Sequence, residues 1–282
     1  MKSLPIIQKT GYNMSNERGA NMELTALLQR IDTLKNRIQA RRPLSETEVR
    51  ELDAYYKIGT TYSSNALEGN SLTLSETKVI LEDGLTVNGK PIKDVYEATG
   101  HADAYDFMVA TARGGQLHIT EDVICAIHKL FYQRLNAENA GAYRQEQVFI
   151  SGTDYVPPAA DAVPELMRVF AAEIAEKQAA LHPVLLAAFV HRRLVDIHPF
   201  VDGNGRTARL LMNLVLVNRG YPVVQIPPVL RFDYIQALVA AQRSEKPTDI
   251  PFQTLIASCQ LESQRDFCRM FRISMKELEQ GR

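Results

Sequence analysis

The chain has 282 residues, of which 45% are hydrophobic and 23% charged, enough for one substantial core. Its 32 basic and 33 acidic residues are scattered and nearly cancel, which argues against nucleic acid or an anionic membrane as primary partner. The three cysteines form no metal-type pair, and no apolar stretch approaches the roughly 18 residues of a membrane span. We therefore expect a soluble, cytoplasmic protein without a disulfide framework.

The N-terminal part is predicted to be helical after a polar, flexible leader over residues 1–21. Apolar residues recur at helical spacing over residues 23–40. Ser45 and Glu48 have the spacing of a capping box, and the second helix that they start should end near Gly69. Residues 22–112 are therefore expected to form an N-terminal helical region.

The rest of the chain is also predicted to be helical, with one exception. A strand signature at residues 147–150, followed by a turn-rich stretch, predicts a small β-hairpin over about residues 144–158. The further helices are expected to start at Thr73 (ending near Gly84), at Thr120, at Pro164 and at Pro183, and to cover residues 94–112, 206–218, 231–243 and 249–279. The helix over 184–196 is apolar on nearly all sides, as is typical of a buried centre.

The segment between two of these helices, from His198 to Arg206, carries the functional argument. Gly203, Asn204 and Gly205 lie at a helix start, where free backbone N–H groups and the positive end of the helix dipole bind anions. Glycine permits close approach of a ligand, and asparagine tolerates left-handed geometry better than most residues. The turn is therefore predicted to bind phosphate.

The neighbouring side chains suit phosphate chemistry. Asp202 supplies one carboxylate for Mg²⁺ that is held mainly by phosphate oxygens and water. Arg206 and Arg209 share a helix face and can reach the distal phosphates. His198 can accept a proton near neutral pH. Each feature alone has a structural explanation, such as a helix cap or a packed histidine, but their combination favours a nucleotide site.

The sequence His-Pro-Phe-Val-Asp-Gly-Asn-Gly-Arg-Thr-Ala-Arg, over residues 198–209, matches the signature of the Fic family of AMP-transferring enzymes. The resemblance implies an all-α Fic-type bundle with a β-hairpin flap, and ATP and Mg²⁺ as substrate and cofactor. It implies that His198 deprotonates a Ser, Thr or Tyr hydroxyl of a target protein, that Asp202 holds the metal, and that the turn from Gly203 to Gly205 binds the phosphates.

Further roles follow from the same resemblance. The flap, which aligns the target segment over the nucleotide, falls on Thr153, Asp154, Tyr155 and Val156. Tyr234 resembles a family position beside the adenine. The implied domains are a Fic core over residues 113–265 and a helical tail over 266–282. The resemblance also implies ATP and an unidentified target protein as partners, with the chain itself as a candidate target, and a homodimer.

A second short motif, over residues 64–70, resembles the inhibitory motif of the family. Ser64 and Glu68 are one turn apart and share a helical face, on a predicted inhibitory helix over about 45–69. The resemblance implies that Glu68 pairs with Arg209 and blocks seating of the γ-phosphate, so that the protein is auto-inhibited. Some relatives also use this glutamate to orient water for the removal of AMP.

Two alternatives stay open at this point. The first is Fic-type transfer of another group, namely UMP, phosphate or phosphocholine, although the intact glycine turn favours AMP. The second is a non-catalytic nucleotide-sensing module with the N-terminal helices as its partner surface. The intact His198 and Asp202 weigh against it, because a sensor needs neither a base nor a metal ligand. For His191 and Arg192, support of the site and packing of the central helix both stay open, and packing is favoured.

Overall fold

The computed structural model describes residues 14–150, 153–242 and 247–275, with side chains from residue 19 onwards. The described residues form helices and no strand, which confirms the prediction of an all-α protein. Their α-helices are α1 Met14–Ala40, α2 Glu46–Ala66, α3 Leu74–Lys78, α4 Ile92–Arg113, α5 Glu121–Tyr132, α6 Val163–Lys177, α7 Pro183–Ile197, α8 Asn204–Asn218, α9 Arg231–Gln242 and α10 Ile250–Met270.

Three helix starts are fixed by the side chains that the sequence indicates. Before α2, Ser45 Oγ accepts the Glu48 amide at 3.2 Å and a Glu48 carboxylate oxygen accepts the Ser45 amide at 2.8 Å. Thr73 and Glu76 form the same reciprocal capping box before α3. Thr120 Oγ1 accepts the amide of the third residue of α5. Each box satisfies two amides that have no acceptor within the helix, so these starts are confirmed.

Two predicted boundaries differ from the structure. Helix α1 begins at Met14, inside the predicted leader, of which residues 1–13 lie outside the described part. Helix α10 ends at Met270, not at residue 279. Arg272 adopts a left-handed φ of 52°, and the amide of Ile273 donates to Cys268 O at 2.8 Å, which closes a Schellman motif. No local signal marked this helix end, because glycine usually fills the left-handed position.

The core is built around α7, which packs along α8. Helix α4 packs against both α5 and α8, α2 packs on α4, and α1 lies along α10. One cluster of buried apolar side chains runs from α1 to α10, so the N-terminal helices share the core of the signature helices. In the described part of the chain, every helix is too short or too polar to cross a lipid bilayer.

The predicted β-hairpin is absent from the described residues of its segment. We call residues 144–158 the flap loop, of which residues 151 and 152 lie outside the described part. Its two arms are joined by side chains instead of a strand ladder, since Gln147 Nε2 donates to Pro157 O at 3.0 Å and Arg144 donates to Pro158 O. Two consecutive prolines lack the amides that a ladder needs, which explains the difference.

Candidate active site

The proposed base, His198, turns the chain out of α7. It has φ 51° and ψ 57°, a left-handed conformation that few residues other than glycine adopt, and its amide donates to Leu194 O at 2.9 Å. Its Nδ1 lies 3.3 Å from Val195 O. A carbonyl oxygen only accepts, so Nδ1 carries the proton and Nε2 keeps its lone pair. The nitrogen that can act as a base is therefore Nε2.

The environment of His198 favours its neutral form. Burial lowers the pKa of the imidazole, and the nearby charge of Arg144 lowers it further. The hydrogen bond to Val195 O and the carboxylates of Asp202 and Glu68 act in the opposite direction but do not reverse the shift. With its pKa below the usual value of about 6.5, the imidazole is uncharged at neutral pH and can take up a proton.

The turn before α8 requires a glycine at position 203. Gly203 has φ 77°, and a Cβ there would lie 2.8 Å from Phe131 Cε1 and 3.2 Å from His128 Nε2. The first bond of α8 runs from the Thr207 amide to Gly203 O at 3.0 Å. The amides of residues 204–206 therefore precede the helical ladder, and together with the helix dipole they make an anion-binding end.

We expect Gly203→Ala to destabilise the protein more than Gly89→Ala does. Gly89 has the same φ of 77° but open space around its Cβ position, so it reports the backbone strain alone, about 1–2 kcal/mol. At Gly203 the crowding should add about 1–3 kcal/mol to the loss in free energy of unfolding. Urea denaturation of both variants measures the difference. Equal losses would show that the turn can relax away from Phe131 and His128.

The left-handed backbone expected of Asn204 needs a correction, whereas its role in nucleotide binding stays a prediction. Asn204 is the first residue of α8 and does not have a left-handed backbone; the left-handed positions are His198 and Gly203. Its side chain instead bonds the preceding loop twice, since Oδ1 accepts the Phe200 amide at 2.9 Å and Nδ2 donates to Phe200 O at 2.8 Å. The buried side-chain amide of Asn204 thus holds the shape of the loop.

His128, on α5, is a site residue that the sequence reasoning missed. Its Nδ1 accepts the Gly141 amide at 2.9 Å, so Nε2 carries the proton and donates to Asp202 O at 3.0 Å. The ring stacks on Phe200 with centroids 3.8 Å apart. Burial lowers its pKa to about 4, which keeps it neutral. His128 therefore supports the turn from beneath as an uncharged hydrogen-bond donor.

The two signature arginines lie against different carboxylates. Arg206 is buried, with Nη1 2.8 Å from Glu97 Oε1 and Nη2 3.3 Å from Asp202 Oδ1, and its guanidinium lies 4.4 Å from the centroid of the Phe131 ring. Glu97, on α4, was not singled out in the sequence. Together with Asp202, it holds the Arg206 guanidinium beside the turn.

Arg209 is held from the other side by the motif over residues 64–70. Its Nη2 donates to Glu68 Oε1 at 2.7 Å and to Ser64 O at 2.9 Å, and its Nε donates to Ser64 Oγ at 2.9 Å. Its Nη1 donates to Tyr234 Oη at 3.2 Å. The structure thus contains the contact between Glu68 and Arg209 that the resemblance implied, and it adds two bonds from Arg209 to Ser64.

Glu68 also lies close to the turn that is predicted to bind phosphate. A Cβ added to Gly205 would be 2.5 Å from Glu68 Oε1, so the carboxylate approaches the helix start where glycine leaves room. Burial raises the pKa of Glu68, but the charge and hydrogen bond of Arg209 outweigh it and hold that pKa below its usual value. The carboxylate is therefore ionised at neutral pH, next to the place predicted for phosphate.

Tyr234 faces inward in this structure. It is buried, and its hydroxyl lies between Arg209 and His191, 3.0 Å from His191 Nε2. His191 is fully buried and packs against Phe252, with the ring centroids 4.9 Å apart. His191 therefore both packs α7 and orients the Tyr234 hydroxyl. The predicted place of Tyr234 beside an adenine stays a prediction.

The predicted flap residues contact α7 or solvent. Tyr155 Oη donates to Asp196 O at 2.9 Å, and Thr153 Oγ1 accepts the Tyr155 amide at 3.1 Å. Asp154 and Val156 are exposed. These contacts place the flap loop on the His198 side of the site, with Val156 available to another molecule.

One protein carboxylate is suited to a magnesium ion. Asp202 is about half exposed, at 49%, and its Oδ1 accepts the Gly203 amide at 2.6 Å. The described residues contain no cluster of three metal-binding side chains. Mg²⁺ is commonly held by one or two carboxylates together with phosphate oxygens and water, so this donor set fits an ion that arrives with a nucleotide.

Comparisons with known proteins relate this chain to one protein family. Residues 118–216 match the Fic/DOC family. The protein adenylyltransferase Fic of Nematostella vectensis is 40% identical over 208 residues, which are 73% of this chain and 47% of that protein. The chain spans about half the length of the curated relatives it matches.

Two solved structures have the same fold. Fic-1 (residues 134–508) from C. elegans superposes with a TM-score of 0.80 at 26% identity, over 91% of this chain and 75% of that chain. A Fic domain containing signaling protein from Bacteroides thetaiotaomicron gives a TM-score of 0.77 at 28% identity, over 84% and 94%. The chain belongs to the Fic/DOC family.

Proposed function

We propose that this protein is an adenylyltransferase that transfers AMP from ATP to a Ser, Thr or Tyr hydroxyl of a target protein. The observation that carries the proposal is the juxtaposition of a neutral imidazole, at His198, with the anion-binding start of α8. The printed name of the curated relatives, protein adenylyltransferase Fic, supports the same activity.

Each of these residues has its own role in an in-line displacement at the α-phosphorus. The amides of residues 204–206, with Arg206, bind the phosphates and leave the α-phosphorus beside His198. Nε2 of His198 takes the proton of the target hydroxyl, whose oxygen attacks the α-phosphorus. The bond to the bridging oxygen breaks and pyrophosphate leaves. Mg²⁺, held by Asp202, would neutralise charge on the phosphates, so that catalysis rests on positioning and electrostatics.

We further propose that Glu68 is an inhibitory residue, helped by Ser64. Arg209 donates to both of them and so is not available to a γ-phosphate in this arrangement. The Glu68 carboxylate also lies against Gly205, where its negative charge would oppose a phosphate. A nucleotide must displace this carboxylate before Arg209 can bind it.

We propose that the flap loop aligns the target segment and that Val156, which is 61% exposed, contacts it.

A homodimer and self-modification are further proposals, and exposed apolar side chains at Leu85 and Ile92 give a second copy an apolar surface. The three cysteines are free thiols, which agrees with a reducing, cytoplasmic location.

We expect the Glu68→Gly protein, incubated with Mg²⁺ and its own cell lysate, to place the label of α-labelled ATP on protein, whereas the label of γ-labelled ATP is released. This pattern follows because AMP retains the α-phosphorus and pyrophosphate carries the γ-phosphorus away. Unlabelled UTP, GTP and CTP should compete poorly. Retention of the γ-label would indicate phosphate transfer, and strong competition by UTP would indicate UMP transfer; either result would contradict the proposal.

A further inference from the structure

Arg144, in the first residues of the flap loop, is a buried cation with an unusual set of partners. Its residue surface is 2% exposed, yet among the described residues no carboxylate forms an ion pair with it. A buried charge is costly unless hydrogen bonds satisfy it. Burial lowers the pKa of the guanidinium, which nevertheless stays charged at neutral pH.

Its partners are carbonyl oxygens at three separate points of the chain. Nε donates to His198 O at 2.8 Å, Nη1 donates to Glu146 O at 2.9 Å, and Nη2 donates to Pro158 O. The backbone amide of Arg144 also donates to Pro199 O at 2.9 Å. One residue therefore joins both ends of the flap loop to the turn that carries the proposed base.

The bond to His198 O bears on the direction of the imidazole. His198 holds a left-handed backbone, which is unfavourable for a non-glycine residue and persists only where its surroundings enforce it. The ψ angle of His198 sets the direction of its carbonyl group, and the hydrogen bond from Arg144 Nε holds the carbonyl in that direction. Without this donor, the residue can relax toward an ordinary φ, and the side chain would swing with it.

We propose that Arg144 is a positioning residue for the transfer reaction, which aims the His198 imidazole and holds the flap loop beside it at the same time. The inference rests on the proposed function, in which the His198 imidazole is the base and the flap loop binds the target. Arg144 touches neither nucleotide nor target and acts through these two elements.

The geometry requires arginine in particular. A guanidinium presents five N–H donors in one rigid plane, which matches three carbonyls that approach from different directions. A lysine has a single ammonium nitrogen on a flexible stem and cannot reach the same three oxygens together. Arg144→Lys should therefore behave as a loss of function although it keeps the charge, and it is the informative variant.

The test compares Arg144→Lys and Arg144→Met with their parent, the Glu68→Gly protein. We expect kcat for AMP transfer to fall about 100-fold in both, the effect of misplacing a reacting group by about 1 Å. KM for ATP should stay unchanged, because the start of α8 is intact. Arg168→Lys is the matched control, since Arg168 is 64% exposed and pairs with Glu165 on its own helix, and it should keep parental kcat.

Hydrogen–deuterium exchange separates this inference from the proposed function. Amides of residues 145–150 and 153–156 should exchange faster in Arg144→Lys than in the parent, whether or not any transfer is detected. A parent without transfer activity would contradict the proposed function. Faster exchange in Arg144→Lys would still support the inference that Arg144 holds the flap loop. Parental kcat together with parental exchange in Arg144→Lys would overturn the inference. An Arg144→Lys protein without a cooperative thermal transition would overturn it too, by making Arg144 a folding residue.

Discussion

His198→Ala is expected to lower AMP transfer by about 100- to 10,000-fold, the usual contribution of a general base, while ATP binding is retained. Nε2 of His198 is the unprotonated nitrogen, and its pKa is lowered chiefly by burial, so the wild-type imidazole is ready to accept a proton at neutral pH. The measurement is incorporation of α-label into protein in the Glu68→Gly background, with ATP affinity determined by titration.

His118→Ala is the matched control for the loss of an imidazole. His118 is exposed and lies before α5, within the part of the chain that matches the family but away from the described contacts of the turn. Its replacement should leave labelling unchanged. Labelling by His198→Ala at the level of its parent would remove this histidine from the mechanism, even if the other parts of the site were confirmed.

Glu68→Gly is expected to raise AMP transfer about 10- to 100-fold above the wild-type protein, because a charge-assisted hydrogen bond contributes about 1.5–3 kcal/mol. The change removes the 2.7 Å bond to Arg209 and clears the carboxylate from Gly205, so that a γ-phosphate can pair with the freed guanidinium. Initial rates of label incorporation at equal protein concentration measure the gain.

Two further variants show whether the gain has this origin. Glu138→Gly removes an exposed glutamate from a turn and should leave the wild-type rate unchanged. Adding Arg209→Ala to Glu68→Gly should cancel the gain, since the arginine would then be missing from the phosphate site. Equal rates for the wild-type and Glu68→Gly proteins would contradict the assignment of Glu68 as an inhibitor.

Local sequence signals predicted much of the fold because they act over short distances. The capping box at Ser45, the cap at Thr120 and the all-apolar helix that became α7 needed only neighbouring residues. The end of α10 was missed because Arg272 adopts the left-handed conformation that glycine usually takes. The flap loop was misread as a hairpin because its arms are joined by the Arg144 and Gln147 side chains.

In the site, too, features with a local sequence signal were predicted and contacts between distant segments without such a signal were missed. The signature placed His198 and Asp202 on one short turn, and the resemblance of residues 64–70 to the inhibitory motif of the family implied the contact between Glu68 and Arg209 that the structure contains. The bond from the Asn204 side chain back to Phe200 depends on the folded turn and has no local signal.

His128, in contrast, did leave a signal. It shares one face of α5 with Ile124 and Phe131, where a polar residue among buried apolar ones points to a specific hydrogen bond. Glu97 and Arg144 come from distant segments, so only the fold reveals their contacts with the signature.

The central claim is that a triphosphate binds at the start of α8 with its α-phosphorus facing Nε2 of His198. A crystal structure of the Glu68→Gly protein with Mg²⁺ and a non-hydrolysable ATP analogue tests it most directly. We expect the phosphates on the amides of residues 204–206, the γ-phosphate on Arg209, and room for one hydroxyl between Nε2 and the α-phosphorus. A nucleotide bound elsewhere, or an imidazole turned into the apolar core, would contradict the account.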